Sequence, residues 1–296
     1  MAASQHFIEI SALVHPDAVE GVSDLLLSLG AKGVADEGTE AQRKVTAYFP
    51  EDERHPERVA AVERRLQDLR AAGVEVGVGF VAVRVVEEVE WAELWRAYFH
   101  AQRVAPNLII VPSWEEYQPQ ADEHVIVLDP GAAFGTGGHA TTRLCLRALA
   151  ERVRPGDRVA DIGCGSGVLA IAAALLGASH VVATDSDPTA LPVAQFNAER
   201  NRVPDRVEII EGDLIALDRG PFDLIVCNIL APEVIRLSAD LPALLRPGGR
   251  FIGSGFVTQD VPAVTAALAH VGLEVIGAPQ EEEWAAVVAH WPGVRE

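Results

Sequence analysis

The stretch Asp161-Ile162-Gly163-Cys164-Gly165-Ser166-Gly167 decides how this 296-residue chain folds. It follows a short apolar run and leads into Val168-Leu169-Ala170, where a helical pattern begins. Glycines at such a turn let the backbone approach a ligand closely, because side chains would collide with it. The start of the following helix offers free N–H groups to a carboxylate or a phosphate. The stretch therefore predicts a strand, a ligand-binding turn and a helix in direct succession.

The rest of the chain from Asn107 onward alternates between strand and helix patterns, which is typical of a parallel α/β sheet. We predict strands over residues 108–111, 125–129, 158–161, 180–185, 207–211, 222–227 and 250–254. We predict helices over residues 139–153, 168–176, 188–200, 232–245 and 260–270, and a terminal antiparallel pair from 274–276 and 285–289. The predicted fold class is α/β, with a doubly wound, mostly parallel, Rossmann-like sheet.

The first 88 residues follow a different pattern. Strand-like runs occupy residues 7–14, 33–37, 44–49 and 74–86, and helical runs follow Pro16 and Pro56 and end at Gly30 and Gly73. The order strand, helix, strand, strand, helix, strand is that of a ferredoxin-like α+β sandwich. We therefore predict a smaller N-terminal α+β domain of this type.

A predicted helix between Glu87 and Arg103 connects the two patterns. Four aromatic residues fall on one face of it at helical spacing: Trp91, Trp95, Tyr98 and Phe99. We interpret this face as core or interdomain packing rather than as a partner-binding stripe. The predicted division of the chain is an N-terminal domain over residues 1–88, a connecting helix or linker over 89–104 and a second domain over 105–296.

Charge and cysteine content exclude several classes of protein. The chain has 24 Lys and Arg against 43 Asp and Glu, a formal net charge of −19, which disfavours direct binding of nucleic acid and suits a basic partner. Its three cysteines, Cys145, Cys164 and Cys227, form no CxxC pair, so neither a disulfide framework nor a zinc site is expected. The N-terminal residues lack the basic start and the apolar core that are typical of a signal peptide, and no apolar run approaches the roughly 20 residues that span a bilayer. We therefore expect a cytoplasmic protein without a metal and without a membrane association.

Asp185 is the first candidate ligand-binding side chain beyond the glycine turn. It ends the next predicted strand, 22 positions after Gly163, where a carboxylate can accept both hydroxyls of a ribose. The turn and Asp185 alone do not choose a ligand, because residues 165–170 also satisfy the GxGxxA form of the dinucleotide fingerprint. A nicotinamide enzyme, and a glycine turn without any ligand, remain open at this point.

Two later strand ends add polar residues. Asp213 follows the predicted strand 207–211, where a carboxylate can accept from the exocyclic amine of an adenine. Asn228 follows the predicted strand 222–227. The side-chain oxygen of Asn228 can accept from a nitrogen nucleophile and orient its lone pair. The alternative for Asn228 is a turn or a helix N-cap.

Together these features resemble class I S-adenosylmethionine-dependent methyltransferases. Within that class, residues 128–142 (LDPGAAFGTGGHATT) resemble the DPGxAFGTGxHxTT block of the PrmA family, the methyltransferases of large-subunit ribosomal protein eleven. Residues 228–231 (NILA) match the strand-four motif of that family, and residues 111–115 resemble its segment before the block. The resemblance covers residues 91–231; Gly138 and Ala140 depart from it, because many members carry Thr and Pro or an acidic residue there.

The resemblance implies S-adenosylmethionine as the cofactor, S-adenosylhomocysteine as its product and no metal. The implied cofactor contacts are Thr142, Gly163, Gly165, Gly167, Asp185, Asp213 and Asn228. Asn228 and Phe134 are the implied catalytic residues, with Phe134 over the methionine end. For His139 we favour a helix-start role without substrate contact, and we interpret the cysteines as packing residues rather than nucleophiles.

The implied activity is methylation of lysine ε-amines and an N-terminal α-amine, up to the trimethyl state, on a basic ribosomal protein. Residues 1–88 would recognise that protein, and the enzyme is expected to be a monomer. A class I methyltransferase for another protein, a nucleobase or a small molecule is the alternative, although the Asn-Pro-Pro-Tyr form of planar-amide and adenine methylation is absent. An NAD-binding oxidoreductase is the remote alternative.

Overall fold

The chain divides into two compact units, Met1–Phe99 and His100–Glu296, in a computed structural model. It describes residues 6–31, 34–39, 41–52, 54–87, 100–129, 137–212 and 220–293. Within those ranges, no helix is long and apolar enough to cross a membrane.

The first unit contains a four-stranded antiparallel sheet and two helices. Its strands are β1 (His6–Val14), β2 (Val34–Gly38), β3 (Arg43–Pro50) and β4 (Phe80–Glu87), and its helices are α1 (Val19–Ser28) and α2 (His55–Ala71). The strand order is β2-β3-β1-β4. Alternate β1 residues Ile8, Ile10 and Ala12 are buried in one apolar cluster with Leu26 and Leu66, because successive side chains of a strand point to opposite faces. This arrangement confirms the predicted ferredoxin-like fold.

The last strand of this unit is shorter than predicted, since β4 begins at Phe80 rather than at residue 74. Residues 74–79 form a turn against the end of β1. The Val76 carbonyl accepts from His15 N–H at 3.0 Å, and Gly79 N–H donates to the Leu13 carbonyl at 2.9 Å. Gly79 has a φ of +64°, a left-handed value that glycine adopts most readily. The valine residues of this segment predict a strand, but its backbone groups form hydrogen bonds with Leu13 and His15 before β4 begins.

The second unit contains two sheets. Its strands are β5 (Gln102–Ala105), β6 (Leu108–Val111), β7 (His124–Val127), β8 (Arg158–Ile162), β9 (His180–Asp185), β10 (Val207–Glu211), β11 (Phe222–Asn228), β12 (Leu245–Val257), β13 (Glu274–Gly277), β14 (Gln280–Glu281) and β15 (Trp284–His290). The smaller sheet has the order β5-β6-β7; the larger has β10-β9-β8-β11-β12-β15-β13, with β14 beside β15. Strands β8 to β12 pair in parallel and β15 pairs antiparallel with β13, as predicted; β15 also pairs antiparallel with β12.

Six helices accompany these sheets in the described part of the unit. They are α3 (Ala140–Arg152), α4 (Val168–Leu175), α5 (Ala190–Arg200), α6 (Ala231–Ser238), α7 (Leu241–Leu244) and α8 (Val261–His270). The single helix predicted over residues 232–245 is wrong, because α6 and α7 are separate and β12 already begins at Leu245.

The predicted connecting helix is also wrong at its end. Gln102 and Arg103 belong to β5, where they pair with Ile110 and Ile109 of β6, and Val104 is buried in the core of the second unit. The aromatic residues predicted to line one face of that helix, at positions 91, 95, 98 and 99, lie outside the described residues.

Two apolar clusters sandwich the larger sheet. One contains the alanine-rich helix α4 and residues such as Val159, and the other contains helices α6 and α8 with residues such as Ala160. Central parallel strands are therefore buried on both faces, which is why they read as continuous apolar runs. This packing fixes the strand ends, where the polar residues lie.

Candidate functional site

The predicted site residues gather at the carboxyl edge of the larger sheet. Strands β9 and β10 lie on one side of β8, and β11 and β12 lie on the other, so the order in which successive strands are added to the sheet reverses at β8. Ligands of open α/β sheets bind at such a switch point. A cavity of about 290 Å³ opens there; its lining includes Gly163, Asp185, Ser186, Gly212, Ile229, Glu233, Arg236 and Asp240.

The glycine turn after β8 is anchored to the neighbouring strand. The N–H groups of Gly163 and Cys164 both donate to the Thr184 carbonyl of β9, at 2.8 and 2.9 Å. The glycines at 163, 165 and 167 all have positive φ, between +52° and +78°. A Cβ atom added to Gly163 would lie 2.6 Å from Cγ2 of Ile229. The turn thus requires glycine for its backbone conformation and for its close approach to the strand-four motif.

Asp185 holds the turn and the end of β9 together. Its Oδ2 accepts from Gly165 N–H at 2.8 Å, and its Oδ1 accepts from Asp187 N–H at 2.9 Å. Each oxygen of an ionised carboxylate can accept a further hydrogen bond. Asp185 therefore lines the cavity with acceptor capacity for two ligand hydroxyls.

Asp161 is a site residue that the sequence analysis did not single out. Its side chain is fully buried, and Oδ2 accepts from Ala170 N–H at 2.9 Å. Oδ1 has no hydrogen-bond partner in the described part of the chain. Burial, reinforced by the charge of Asp185, raises the pKa of Asp161 to about 7. Its position as the last polar residue before the glycines was the signal that could have identified it.

Asn228 and Thr142 meet on the other side of β8. Asn228 Nδ2 donates to Thr142 Oγ1 at 3.3 Å, which leaves Oδ1 buried and without a partner among the described residues. The helix N-cap alternative for Asn228 is wrong, because the N-cap of α6 is Leu230. An amide oxygen held in this way can accept a hydrogen bond from a ligand amine.

His139 starts a helix, as predicted. It is the N-cap of α3, and its Nδ1 accepts from Thr141 N–H at 3.3 Å. Its ring also contacts the ring of Trp284 edge-on, with centroids 4.7 Å apart. These contacts give His139 a structural role at the beginning of the helix that carries Thr142.

The remaining candidates are the cysteines, Phe134 and Asp213. The three cysteines are buried free thiols, and burial raises the pKa of each, so they are packing residues in this environment. Phe134 and Asp213 lie outside the described residues and stay predictions. Within the described ranges, no group of three His, Cys, Asp or Glu side chains could hold a metal ion.

The polar groups at this edge, which are mostly hydrogen-bond acceptors, fit S-adenosylmethionine better than a dinucleotide. The N–H groups of Gly165 and Ala170, which could bind a pyrophosphate, already donate to Asp185 and Asp161. Two carboxylates would repel the phosphates, whereas they attract a cationic ligand that also carries ribose hydroxyls. The buried acceptor atoms Asp161 Oδ1 and Asn228 Oδ1 add capacity for positively charged or N–H groups.

Comparisons with known proteins agree with this geometry. Residues 6–291 match the family described as ribosomal protein L11 methyltransferase (PrmA). The chain is similar to ribosomal protein L11 methyltransferases of Bacillus cereus and Bacillus cytotoxicus, at 38% and 37% identity over 95% of this chain and 98% of each relative. It is also similar to the crystal structure of a ribosomal protein L11 methylase from Lactobacillus delbrueckii subsp. bulgaricus, with a TM-score of 0.61 and 36% identity over 64% of this chain and 98% of that one.

Proposed function

The chain belongs to the ribosomal protein L11 methyltransferase (PrmA) family, and from this membership we propose that it methylates amino groups of ribosomal protein L11 with S-adenosylmethionine as the donor. The observation that carries the proposal is the arrangement of polar groups at the carboxyl edge of the larger sheet. A glycine turn, the Asp185 carboxylate and the unpartnered amide oxygen of Asn228 lie at one edge of a class I methyltransferase sheet.

The residues that would hold the cofactor follow from the acceptors at this edge. We propose that Asp185 accepts from the two ribose hydroxyls and that the glycine turn approaches the methionine end. Asp161, whose pKa burial raises to about 7, supplies a buried negative charge beside the turn when it is ionised, and Asp213 is the predicted partner of the adenine amine. The bound cofactor supplies an activated methyl group on a positively charged sulfur.

Asn228 is the proposed orienting group for the attacking amine. A lysine amine has an unperturbed pKa of about 10.4, so it must lose a proton before it can attack. Desolvation and a nearby positive charge both lower that pKa, because each disfavours the ammonium form. Asn228 Oδ1 would accept from an amine N–H and aim the lone pair, with Thr142 fixing the amide through the hydrogen bond at 3.3 Å.

The proposed targets are lysine ε-amines and the N-terminal α-amine of L11, methylated up to the trimethyl state. Successive transfers require the amine to rotate between rounds. Asn228 Oδ1 can accept from an N–H of the unmethylated or the monomethylated amine. The neutral dimethylamine that receives the third methyl group has no N–H, so the shape of the pocket alone orients it in that transfer. Phe134 is the proposed cover of the methionine end.

Recognition of L11 is the proposed role of residues 1–88, with residues 89–104 connecting them to the catalytic part. The net charge of −19 supports a basic protein substrate, because complementary charge accelerates encounter. We propose that the enzyme acts as a monomer on the protein rather than on nucleic acid.

Intact-mass analysis of purified L11 after incubation with the full-length enzyme and donor tests the proposal. We expect mass increments of one to three methyl groups per target amine, and peptide mapping assigns them to lysine and the first residue. The Asp185→Ala variant is the control that should leave L11 unmodified. Unmodified L11 with a wild-type enzyme that binds S-adenosylhomocysteine would contradict the proposed substrate, and thermal stabilisation by NAD alone would contradict the proposed cofactor.

A further inference from the structure

The first turn of α3 contacts the Asn228 amide of the candidate site. It carries Thr142, whose hydroxyl accepts from Asn228, and it directly follows Gly138 and His139. Thr142 is 1% exposed, so a shift of this turn would displace the Asn228 amide as well. The contacts that hold the turn therefore bear on the geometry of the site.

A residue far away in the sequence holds this turn through Arg143. One guanidinium nitrogen of Arg143, Nη1, donates to the Gly138 carbonyl immediately before the helix. Nε donates to Glu281 Oε1 at 2.7 Å, and Nη2 pairs with the same oxygen. The Arg143 and Glu281 side chains are only 20% and 21% exposed, which limits screening of the pair by water.

The hairpin that carries Glu281 makes a second contact with the same turn. Glu281 of β14 pairs with Trp284 of β15, and the Trp284 ring contacts His139, the N-cap of α3. Two cross-strand neighbours of one hairpin thus hold this turn: Glu281 acts through Arg143 on the Gly138 carbonyl, and Trp284 contacts His139 directly. Both contacts lie next to the turn that carries Thr142.

We propose that Glu281 and Arg143 are positioning residues for the methyl-transfer site. Glu281 orients Arg143, Arg143 fixes the Gly138 carbonyl, and the fixed carbonyl keeps Thr142 against Asn228. This inference rests on the proposed function, since it assumes that Thr142 and Asn228 contact the cofactor. Neither Glu281 nor Arg143 is assigned a contact with the cofactor or the substrate.

Arg147 offers a matched control within the same cluster. It lies one helical turn beyond Arg143 and donates to the other oxygen of Glu281, Oε2, at 2.6 Å. Its Nε donates to the Val104 carbonyl at 3.1 Å rather than to a residue of the α3 turn. Removal of Arg147 therefore costs the cluster an ion pair but leaves the contact with Gly138 intact.

The test is calorimetric titration of S-adenosylhomocysteine into the full-length wild type and the variants Arg143→Ala, Glu281→Ala, Arg143→Ala/Glu281→Ala and Arg147→Ala. We expect the first two to weaken affinity about tenfold, because small displacements of positioned groups have large effects. The double variant should lose no more than either single variant, since the two residues act in series. The affinity of Arg147→Ala should stay within about twofold of the wild-type affinity. Its melting temperature should fall by about as much as that of Arg143→Ala, because each variant removes one ion pair with Glu281.

Two further measurements separate positioning from a general loss of stability. The KM for L11 should change less than about twofold in Arg143→Ala while kcat falls about tenfold. Glu281→Gln, which keeps an acceptor oxygen for Nε of Arg143, should recover most of the affinity. If Glu281→Ala does not fold, Arg143→Ala and its control Arg147→Ala carry the test. Unchanged affinity in folded Arg143→Ala or in folded Glu281→Ala, or an equal loss in Arg147→Ala, would overturn the inference, while binding by the wild type would leave the proposed function standing. Absence of binding by the wild type would overturn both.

Discussion

Two buried carboxylates, one in each unit of the chain, differ in how their charges are paired. Glu9 of the first unit is 6% exposed, and it pairs with Arg84 at 2.8 Å and with Lys44 at 3.6 Å. Asp161 of the second unit is fully buried and bonds one backbone N–H, with Oδ1 unpartnered among the described residues. A buried charge is costly unless it is paired. The charge of Glu9 is thus paired within its own sheet, whereas Asp161 Oδ1 can still accept a hydrogen bond from a ligand.

The direction of the strands explains where each unit collects polar groups. In the antiparallel first sheet, neighbouring strands end at opposite edges, so the residues that follow them do not meet. Glu9 lies within a strand instead, and its partners Arg84 and Lys44 come from the two neighbouring strands. In the second unit, β8, β9, β10 and β11 run in parallel, so the residues that follow them meet at one edge. A parallel sheet therefore concentrates ligand-binding groups that are distant in sequence.

The largest difference between the two units should appear at Asp185. We expect Asp185→Ala to weaken S-adenosylhomocysteine binding at least about 100-fold, because it removes hydrogen bonds to a charged group worth about 1.5–3 kcal/mol each. Isothermal titration calorimetry measures this change. Asp187→Ala is the control: its Oδ1 accepts from Thr189 N–H at 2.9 Å in the same loop, so affinity should change less than about threefold. Equal losses in both variants would mean that the loop, rather than the Asp185 carboxylate, determines binding.

Asp161 should make stability fall with rising pH. Its pKa is raised to about 7 by burial, against about 3.9 in an unfolded chain, so the folded state retains a proton that the unfolded state loses. Stability should decrease as pH rises from about 4 through 7, by roughly 2–3 kcal/mol between pH 5 and pH 8 in the ligand-free enzyme.

Asp161→Asn should remove that pH-dependent part. Urea unfolding of both proteins at pH 5 and pH 8 measures the difference. The same variant should bind S-adenosylmethionine about tenfold less tightly at pH 8, because it lacks the negative charge. Parallel pH dependences of the wild type and Asp161→Asn would contradict the assignment of the buried charge.

Asn228 should affect turnover more than binding. We expect Asn228→Ala to lower kcat about 10- to 30-fold, the loss of roughly one oriented hydrogen bond, with a smaller change in the KM for the donor. Single-turnover transfer of labelled methyl groups to L11 measures the step. Thr142→Ser, which keeps the hydroxyl that accepts from Nδ2, should retain most of the activity, whereas Thr142→Val should not. Full activity in Asn228→Ala would exclude the proposed orienting role.

The smallest effect should come from Glu9. We expect Glu9→Gln to lower the free energy of unfolding by about 1 kcal/mol or less, because both cationic partners are half-exposed and become hydrated. Affinity for S-adenosylhomocysteine should not change. Urea unfolding and calorimetry on the same preparation measure both quantities, and a weakened cofactor affinity would break the contrast between the units.

Much of the fold could be predicted from the sequence because the second sheet is buried on both faces. The apolar run that forms β11 has well-defined ends, and the glycines after Asp161 mark the following turn. The errors concern segments whose residues suit more than one structure. Residues 74–79 are rich in valine and glycine, and they form a turn because their backbone bonds the end of β1. Gln102 and Arg103 continue a helical pattern but pair with β6.

The site was predicted where a short motif carries the chemistry. The glycine turn, Asp185 and Asn228 are local signals at strand ends, and the structure brings them to one edge of the sheet. Asp161 was overlooked because an Asp at a strand end resembles an ordinary solvent-facing terminus. Glu281 could not be found by spacing, since 138 residues separate it from Arg143, to which it is hydrogen-bonded.

The sequence alone determined which residue types stand at each strand end, because local conformation and apolar periodicity depend on neighbours along the chain. It thereby determined the parallel sheet, the glycine turn, the family and the class of ligand. Only the tertiary structure decided which polar atoms are left without partners, such as Asp161 Oδ1 and Asn228 Oδ1, and which remote side chain supports Arg143. Burial and hydrogen bonding are properties of surroundings assembled from distant segments, and no local pattern encodes them.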